Sequence, residues 1–189
     1  QQGHRFDAGE AEGRGEQAVR RLLRPRRRGV QQGDRVMVLA RNSTDVYETL
    51  FACWRIGAVF MPVNWRLAPS EIADIVADAT PALVLVDEEF AALLPVDATH
   101  PAPSANARAP TRLLRRPGDA TSDYEQAIAS AMPALEFAAV GLDTVNTLLY
   151  TSGTTGQPKG VIGNWRMTTV MLLQASISGG LGADCVTLT

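Results

Sequence analysis

Lysine is almost absent from this chain of 189 residues. Lysine and arginine together number 18, and Lys159 is the only lysine among them. A coding bias towards arginine explains the general pattern. Under such a bias, lysine is kept mainly where the compact ammonium ion cannot be replaced by the planar guanidinium group. Lys159 is therefore the first candidate functional residue.

Histidine and cysteine are also scarce, which limits the metal chemistry open to the chain. The histidines are His4 and His100, and the cysteines, Cys53 and Cys185, lie far apart without the spacing of a metal site. A histidine-rich metal site is excluded, and we predict no metal-binding residues. Two isolated thiols are typical of reduced, buried cysteines in a cytosolic protein. We therefore predict a cytoplasmic protein in which Cys53 is a core residue.

Long apolar runs are missing as well. No stretch reaches the roughly 18 consecutive apolar residues of a transmembrane helix, and the first residues contain no apolar signal-peptide core. The net charge is −2, with 20% charged and 46% hydrophobic residues. These values exclude a highly charged disordered tail and permit one domain with a real core, or one lobe of something larger.

Residues 1–28 are predicted to be a poorly ordered leader rich in arginine. A short helix is possible over 18–24, and arginines are dense from Arg20 to Arg28. That cluster could bind phosphate or nucleic acid. Because no aromatic residue is interleaved and the whole chain is slightly acidic, a solvated helix end is the preferred interpretation, and we expect no nucleic-acid partner.

From Gly33 onwards, apolar runs alternate with helical patterns. Strands are predicted over 35–40, 58–63 and 82–86, and helices from the Asn42–Asp45 cap region to Ile56 and over 69–79. The first helix is predicted to present Val46, Leu50 and Trp54 on one side and to end at Gly57. This order at this spacing implies parallel strands joined by right-handed crossovers, with helices on both faces of the sheet.

The second half is predicted in less detail. We expect a short helix over 88–94, a proline-rich surface connection over 95–121, a helix over 123–131 and irregular structure over 133–143. A strand is expected over 147–150 and another after Pro158. The last helix carries apolar residues that we expect to be exposed and to favour self-association: Met167, Val170, Met171, Leu173 and Ile177.

The loop between the last two strands carries the chemistry. Its glycines, Gly153, Gly156 and Gly160, permit positive φ and a close approach to a ligand. Backbone N–H groups and hydroxyls can then surround an anion, with Lys159 adding a full positive charge. The hydroxyl residues are Thr151, Ser152, Thr154 and Thr155.

This loop differs from the P-loop of nucleotide-binding proteins. In that motif the lysine follows the glycine directly and a helix comes next. Here Gln157 and Pro158 separate Gly156 from Lys159, and Val161 and Ile162 favour a strand. A flexible linker is the alternative, but it would require neither the flanking apolar strands nor the only lysine.

The stretch Tyr150–Gly160 resembles the phosphate-binding signature of the AMP-forming adenylating enzymes. Segments Gly33–Val36 and Gly57–Leu67 are similar to the same family, and Pro62–Leu67 resembles its fatty-acyl-CoA ligase branch. The resemblance covers residues 29–189. It implies an α/β fold with a mostly parallel sheet flanked by helices, as an incomplete N-terminal lobe of such an enzyme, lacking the C-terminal domain.

The resemblance also implies a reaction. The family activates a carboxylate with ATP and Mg²⁺ to an acyl-adenylate and pyrophosphate, then transfers the acyl group to coenzyme A. The implied substrate is a fatty acid. Thr151 and Lys159 would be catalytic, and the loop from Thr151 to Gly156 would join Lys159 in binding the phosphates.

Three features separate the chain from the family pattern. It has roughly a third of the usual length, its first residues do not resemble the family's first helix, and Asn164–Trp165 stands where many relatives carry a Thr/Ser–His pair. We therefore expect the chain alone to bind ATP no better than millimolar and to be inactive. The alternative is a non-catalytic remnant or interaction fragment that retains the phosphate-binding loop.

Overall fold

Six strands and four α-helices make up the part of the chain that this computed structural model describes, namely residues 30–95, 111–129, 138–151 and 158–178. The strands are β1 Arg35–Leu39, β2 Val59–Pro62, β3 Leu83–Asp87, β4 Thr111–Arg115, β5 Val145–Thr151 and β6 Lys159–Asn164. The helices are α1 Thr44–Ile56, α2 Pro69–Ala79, α3 Asp123–Ala129 and α4 Trp165–Ser178, with a 3₁₀ helix over Glu88–Leu93.

The strands form one mostly parallel sheet, as predicted. Their order is β4-β3-β1-β2-β5-β6. The first five strands in this order run parallel to one another in four neighbouring pairs, whereas β6 runs antiparallel to β5. Edge strands β4 and β6 therefore lie at opposite ends of the sheet.

Helices cover both faces of this sheet, which confirms the prediction from the apolar strands. Alternate residues of β1 point to opposite faces: Val36 and Val38 belong to one core cluster, Met37 and Leu39 to the other. The first cluster includes residues of α1 and α3, namely Ala52, Cys53, Ile56 and Tyr124. The second cluster includes residues of α2 and the 3₁₀ helix, namely Ile72, Ile75, Ala79 and Phe90.

The buried face of α1 differs from the predicted one. The helix buries Glu48, Thr49, Ala52, Cys53 and Ile56, whereas Val46 and Leu50 are only partly buried beside the cluster. Small side chains let α1 lie close to the sheet, so the bulky residues stand at the border of the contact. Gly57 ends the helix in the left-handed region at φ +71°, as expected.

Residues 111–115 form a strand, so the prediction of a surface connection over 95–121 is wrong there. β4 pairs in parallel with β3. Its five residues mix arginine with leucine, and Thr111 and Arg112 are exposed because β4 is an edge strand. The apolar signal is therefore too short and too mixed to be read from sequence.

Other boundaries shift by a few residues. β5 begins at Val145, two residues earlier than predicted, and α3 is described only as far as Ala129. The predicted leader over 1–28, including its helix over 18–24, lies outside the described residues. Within the described ranges, no helix combines the length and apolar character needed to cross a membrane.

Candidate functional site

The candidate site lies at the end of the β5–β6 hairpin where the connecting loop begins and ends. Thr151, the last residue of β5, pairs with Lys159, the first residue of β6. The prediction that the loop joins two strands is therefore confirmed. The predicted phosphate-binding residues Ser152, Gly153, Thr154, Thr155 and Gly156 lie outside the described residues, so their roles stay predictions.

Thr151 and Lys159 project from the same face of the hairpin. Directly opposite residues of an antiparallel pair have side chains on one side, with Cβ atoms about 5 Å apart. Both residues are exposed. No acidic side chain among the described residues forms an ion pair with Lys159. A hydroxyl and an ammonium group side by side can bind an anion.

The position of this pair within the sheet also suits a ligand. β5 runs parallel to β2, with Phe60 opposite Thr147. Thr151 therefore lies at the carboxyl edge of the parallel strands, where open α/β sheets bind their ligands.

Tyr150 attaches the hairpin to α2, a role that the sequence did not indicate. Its ring packs against the second core cluster, and its hydroxyl donates to Asp78 Oδ2 at 2.5 Å. Burial, and then the hydrogen bond and negative charge of Asp78, raise the pKa of the Tyr150 phenol above its usual value. The phenol is therefore a hydrogen-bond donor at neutral pH. No sequence signal joins two residues 72 positions apart.

Gly160 lies in a crowded position of β6 and lacks the positive φ that the sequence suggested. It is opposite Tyr150 in β6 and is not among the described glycines with positive φ. A Cβ atom at Gly160 would lie 3.0 Å from Leu148 Cδ1 and 3.4 Å from Tyr150 Cζ. A larger residue would press on the end of the Leu148 side chain, whereas its contact with the Tyr150 ring would be an ordinary one.

A cavity of about 300 Å³ borders both strands of the hairpin at the loop. Tyr150, just before Thr151, and Pro158, just before Lys159, line it together with Asp74 and Asp78 of α2. The described residues contain no group of three or more histidine, cysteine, aspartate or glutamate side chains placed to bind a metal ion.

Trp65 and Arg66 border a second cavity, of about 230 Å³, with Asn42 and Asn64. The sequence left open whether these residues face a cleft or merely pack on the surface. Arg66 lies over the indole of Trp65, 4.1 Å from the ring centroid, and the indole stacks on Phe90. Trp65 and Arg66 therefore line the cleft, and Trp65 also packs on Phe90 at its border.

Two further residues that the sequence analysis considered, Cys53 and Trp165, make packing contacts. Cys53 is fully buried, and burial raises the pKa of its thiol, so it is a core residue as predicted and not a nucleophile. Trp165 packs against Trp54 of α1, with ring centroids 5.1 Å apart. Trp165, at the position where the resemblance implied a histidine, therefore makes an aromatic contact between α4 and α1.

The chain is similar to known proteins over most of its length. The sequence profile described as AMP-binding enzyme matches residues 16–187. The chain is 37% identical over 143 residues to the indoleacetate–CoA ligase of Aromatoleum aromaticum, covering 71% of this chain and 26% of that protein. It is 39% identical over 137 residues to the feruloyl-CoA synthase of an Amycolatopsis species, covering 71% of this chain and 24% of that one.

Solved structures with a similar fold are also found. ATP-bound MatB from Rhodopseudomonas palustris superposes with a TM-score of 0.72 at 26% identity, over 89% of this chain and 31% of that one. Apo MatB from the same organism has a TM-score of 0.76 at 24% identity, covering 95% of this chain and 33% of that chain. The chain spans about a quarter of the length of the curated relatives that it matches.

Proposed function

The chain belongs to the AMP-binding enzyme family, and on that premise we propose that it forms the N-terminal part of an AMP-forming acid–CoA ligase. In the proposed reaction, a carboxylate attacks the α-phosphate of ATP and pyrophosphate leaves. The thiol of coenzyme A then displaces AMP from the acyl-adenylate. The chemistry brings several anions together, so charge neutralisation and positioning are the main tasks of the protein.

The observation that carries this proposal is the Thr151–Lys159 pair at the end of the hairpin. The Lys159 ammonium would neutralise the departing polyphosphate, and the Thr151 hydroxyl would donate to one of its oxygens. Both groups are exposed, so they can reach a ligand without rearrangement of the core. The donor set fits phosphate, and we assign no protein ligand to Mg²⁺, which would arrive with the nucleotide.

The acid substrate is proposed more narrowly as a fatty acid. The resemblance of Pro62–Leu67 to the fatty-acyl branch supports this choice. The relatives are named for fatty and for aromatic acids: one is a fatty acid–acyl-carrier-protein ligase from Streptomyces coeruleorubidus, and others are the indoleacetate and feruloyl enzymes. We also propose a cytoplasmic location, which the buried free thiol of Cys53 supports.

ATP titration of the chain, followed by NMR, tests the proposal. A few charge-assisted hydrogen bonds contribute roughly 1.5–3 kcal/mol each, and association costs consume much of this. We expect a dissociation constant no better than millimolar. Lys159→Gln should weaken binding by at least about fivefold, because it removes a charge-assisted contact.

The matched control is Arg112→Gln. It removes one positive charge from an exposed residue of β4, at the opposite edge of the sheet from β6. It should leave the affinity for ATP unchanged. Equal effects of the two substitutions would show that only net charge matters and would contradict a site at the hairpin. Micromolar binding would contradict the predicted weak affinity, and pyrophosphate release with a fatty acid would contradict the predicted inactivity of the chain alone.

A further inference from the structure

We propose that the Tyr150–Asp78 hydrogen bond is a positioning contact, which holds the end of the β5–β6 hairpin against α2 and so fixes where Thr151 and Lys159 stand. The inference rests on the proposed function, because it concerns the same phosphate-binding loop. It assigns no contact with substrate to Tyr150 or Asp78.

The two residues are placed at the point where the loop leaves the sheet. Tyr150 precedes Thr151, and its partner across the hairpin, Gly160, follows Lys159. Any rotation of the Tyr150–Gly160 pair is therefore passed directly to the next pair, which carries the proposed ligand groups. The hydroxyl of Tyr150 reaches Asp78 Oδ2 at 2.5 Å, which connects the hairpin to the last turn of α2.

The anchor and the ligand groups lie on opposite faces of the hairpin. Side chains alternate along a strand, so Thr151 points away from the face that Tyr150 shares with α2. The ring of Tyr150 packs on the second core cluster, while Thr151 and Lys159 are exposed. Tyr150 can hold the loop in place without occupying the space of the substrate.

Packing alone would not require the hydroxyl. A phenylalanine would fill the same volume over Gly160, where a Cβ atom would lie 3.4 Å from Tyr150 Cζ. The phenol adds one directional bond to a carboxylate, and hydrogen bonds to charged groups are the stronger ones. Pro158 lines the same cavity as Tyr150 and Asp78, so this cavity borders the hairpin where the loop begins and ends.

The first measurement needs no ligand. Amide hydrogen exchange at residues 149–151 and 159–161 reports how firmly the end of the hairpin is held. Tyr150→Phe and Asp78→Ala should each speed exchange there about fivefold, as expected for the loss of one hydrogen bond. Asp78→Asn keeps an acceptor oxygen and should restore slow exchange. The double variant Tyr150→Phe/Asp78→Ala should be no faster than either single variant.

The control is Tyr124→Phe. It also removes a tyrosine hydroxyl bound to a carboxylate, since Tyr124 donates to Glu48 at 3.2 Å on the α1 side of the sheet. It should lower the melting temperature while leaving exchange at the hairpin end unchanged. Unchanged exchange in Tyr150→Phe, or an equal effect of Tyr124→Phe, would overturn the proposal.

The second measurement is the ATP titration described above, carried out well below the melting temperature of each variant. Tyr150→Phe and Asp78→Ala should weaken binding about threefold to fivefold, a loss of one hydrogen bond passed to the loop, and Tyr124→Phe should not. If Lys159→Gln weakens binding but Tyr150→Phe does not, the positioning role fails and the proposed function stands. If binding is independent of Lys159 while exchange depends on Tyr150, the contact is real and the proposed function fails.

Discussion

Arg115 is a buried cation whose environment could not be read from the sequence. Its side chain is 0% exposed, although it lies at the end of an edge strand. The guanidinium donates to Asp45 Oδ2 at 2.8 Å and to Ser43 Oγ at 2.9 Å, and its Nε is 3.6 Å from Asp87 Oδ1. Ser43, one of the residues of the predicted cap region, is the N-cap of α1 but accepts this bond and makes no capping hydrogen bond.

Replacing Arg115 should therefore destabilise the fold. Arg115→Ala leaves Asp45 and the buried Asp87 without their cation, and breaking such a pair costs about 3–5 kcal/mol in the free energy of unfolding. Urea unfolding followed by circular dichroism measures this. The neighbouring Arg116→Ala, which breaks exposed ion pairs with Glu88 and Asp119, should not change the midpoint measurably. A small effect of Arg115→Ala would show that the site relaxes or admits water.

Cys53 provides a second test at the residue scale. Burial raises the pKa of its thiol, so the reactive thiolate is disfavoured at pH 8 and the sulfur is also shielded. In a Cys185→Ser background, Cys53 should resist a thiol reagent in native buffer and react at once in denaturant. Rapid labelling of the native chain would show that α1 opens readily from the sheet.

At the scale of elements, the central part of the sheet could be predicted because its strands are uniformly apolar. β1, β2 and β3 lie between other strands and are covered on both faces, so each has a buried run of three to five residues. β4 could not be predicted because an edge strand buries less of its length. The prediction of the buried face of α1 was wrong because apolar periodicity favours large side chains. In the structure, the small residues Ala52 and Cys53 pack on the sheet.

The candidate site was predictable in part for a similar reason. The composition of its loop stands out from the rest of the chain, since Lys159 is the only lysine and lies among glycines and hydroxyl residues. The pairing of Thr151 with Lys159 follows once two strands are placed around that loop. The bond between Tyr150 and Asp78 depends on how α2 docks against β5, and no local pattern contains that information.

The end of α1 gives a prediction at this scale. Gly57 has φ +71°, and a Cβ atom there would lie 2.9 Å from Gln32 Cγ and 3.2 Å from Ala138 Cβ. Gly33 has φ +84° but nothing within 4 Å of its hypothetical Cβ. Gly33→Ala should cost only the backbone strain of about 1–2 kcal/mol. Gly57→Ala should cost about 3 kcal/mol, because crowding adds to that strain.

Thermal and urea unfolding of the two variants separate these contributions. The difference between them measures the crowding at the turn that joins α1 to β2, since the backbone strain is common to both. Equal destabilisation would mean that Gln32 and the segment around Ala138 move aside freely. The segment would then contribute little to holding the helix end in place.

At the scale of the whole molecule, the described residues leave one end of the sheet with much apolar surface. Only Thr168 is buried among the described residues of α4. The exposed apolar side chains on this helix are Met167, Val170, Met171, Leu172, Leu173 and Ile177. Leu149 and Val161, which pair across the hairpin, are also about half exposed. Exposed apolar side chains in this number are typical of an interaction surface.

We therefore expect the chain, studied alone, to associate with itself through α4. Sedimentation velocity at rising concentration should show species larger than the monomer of 20.3 kDa. Met171→Glu/Ile177→Glu should shift the distribution towards monomer, because the introduced charges would have to lose their hydration in the contact. Gln174→Glu/Ser178→Glu adds the same charge to polar positions of the same helix and should shift it much less. A monomer at every concentration would show that the chain does not associate through α4. Equal effects of the two double variants would show that repulsion between the added charges, and not the loss of apolar contacts, shifts the distribution.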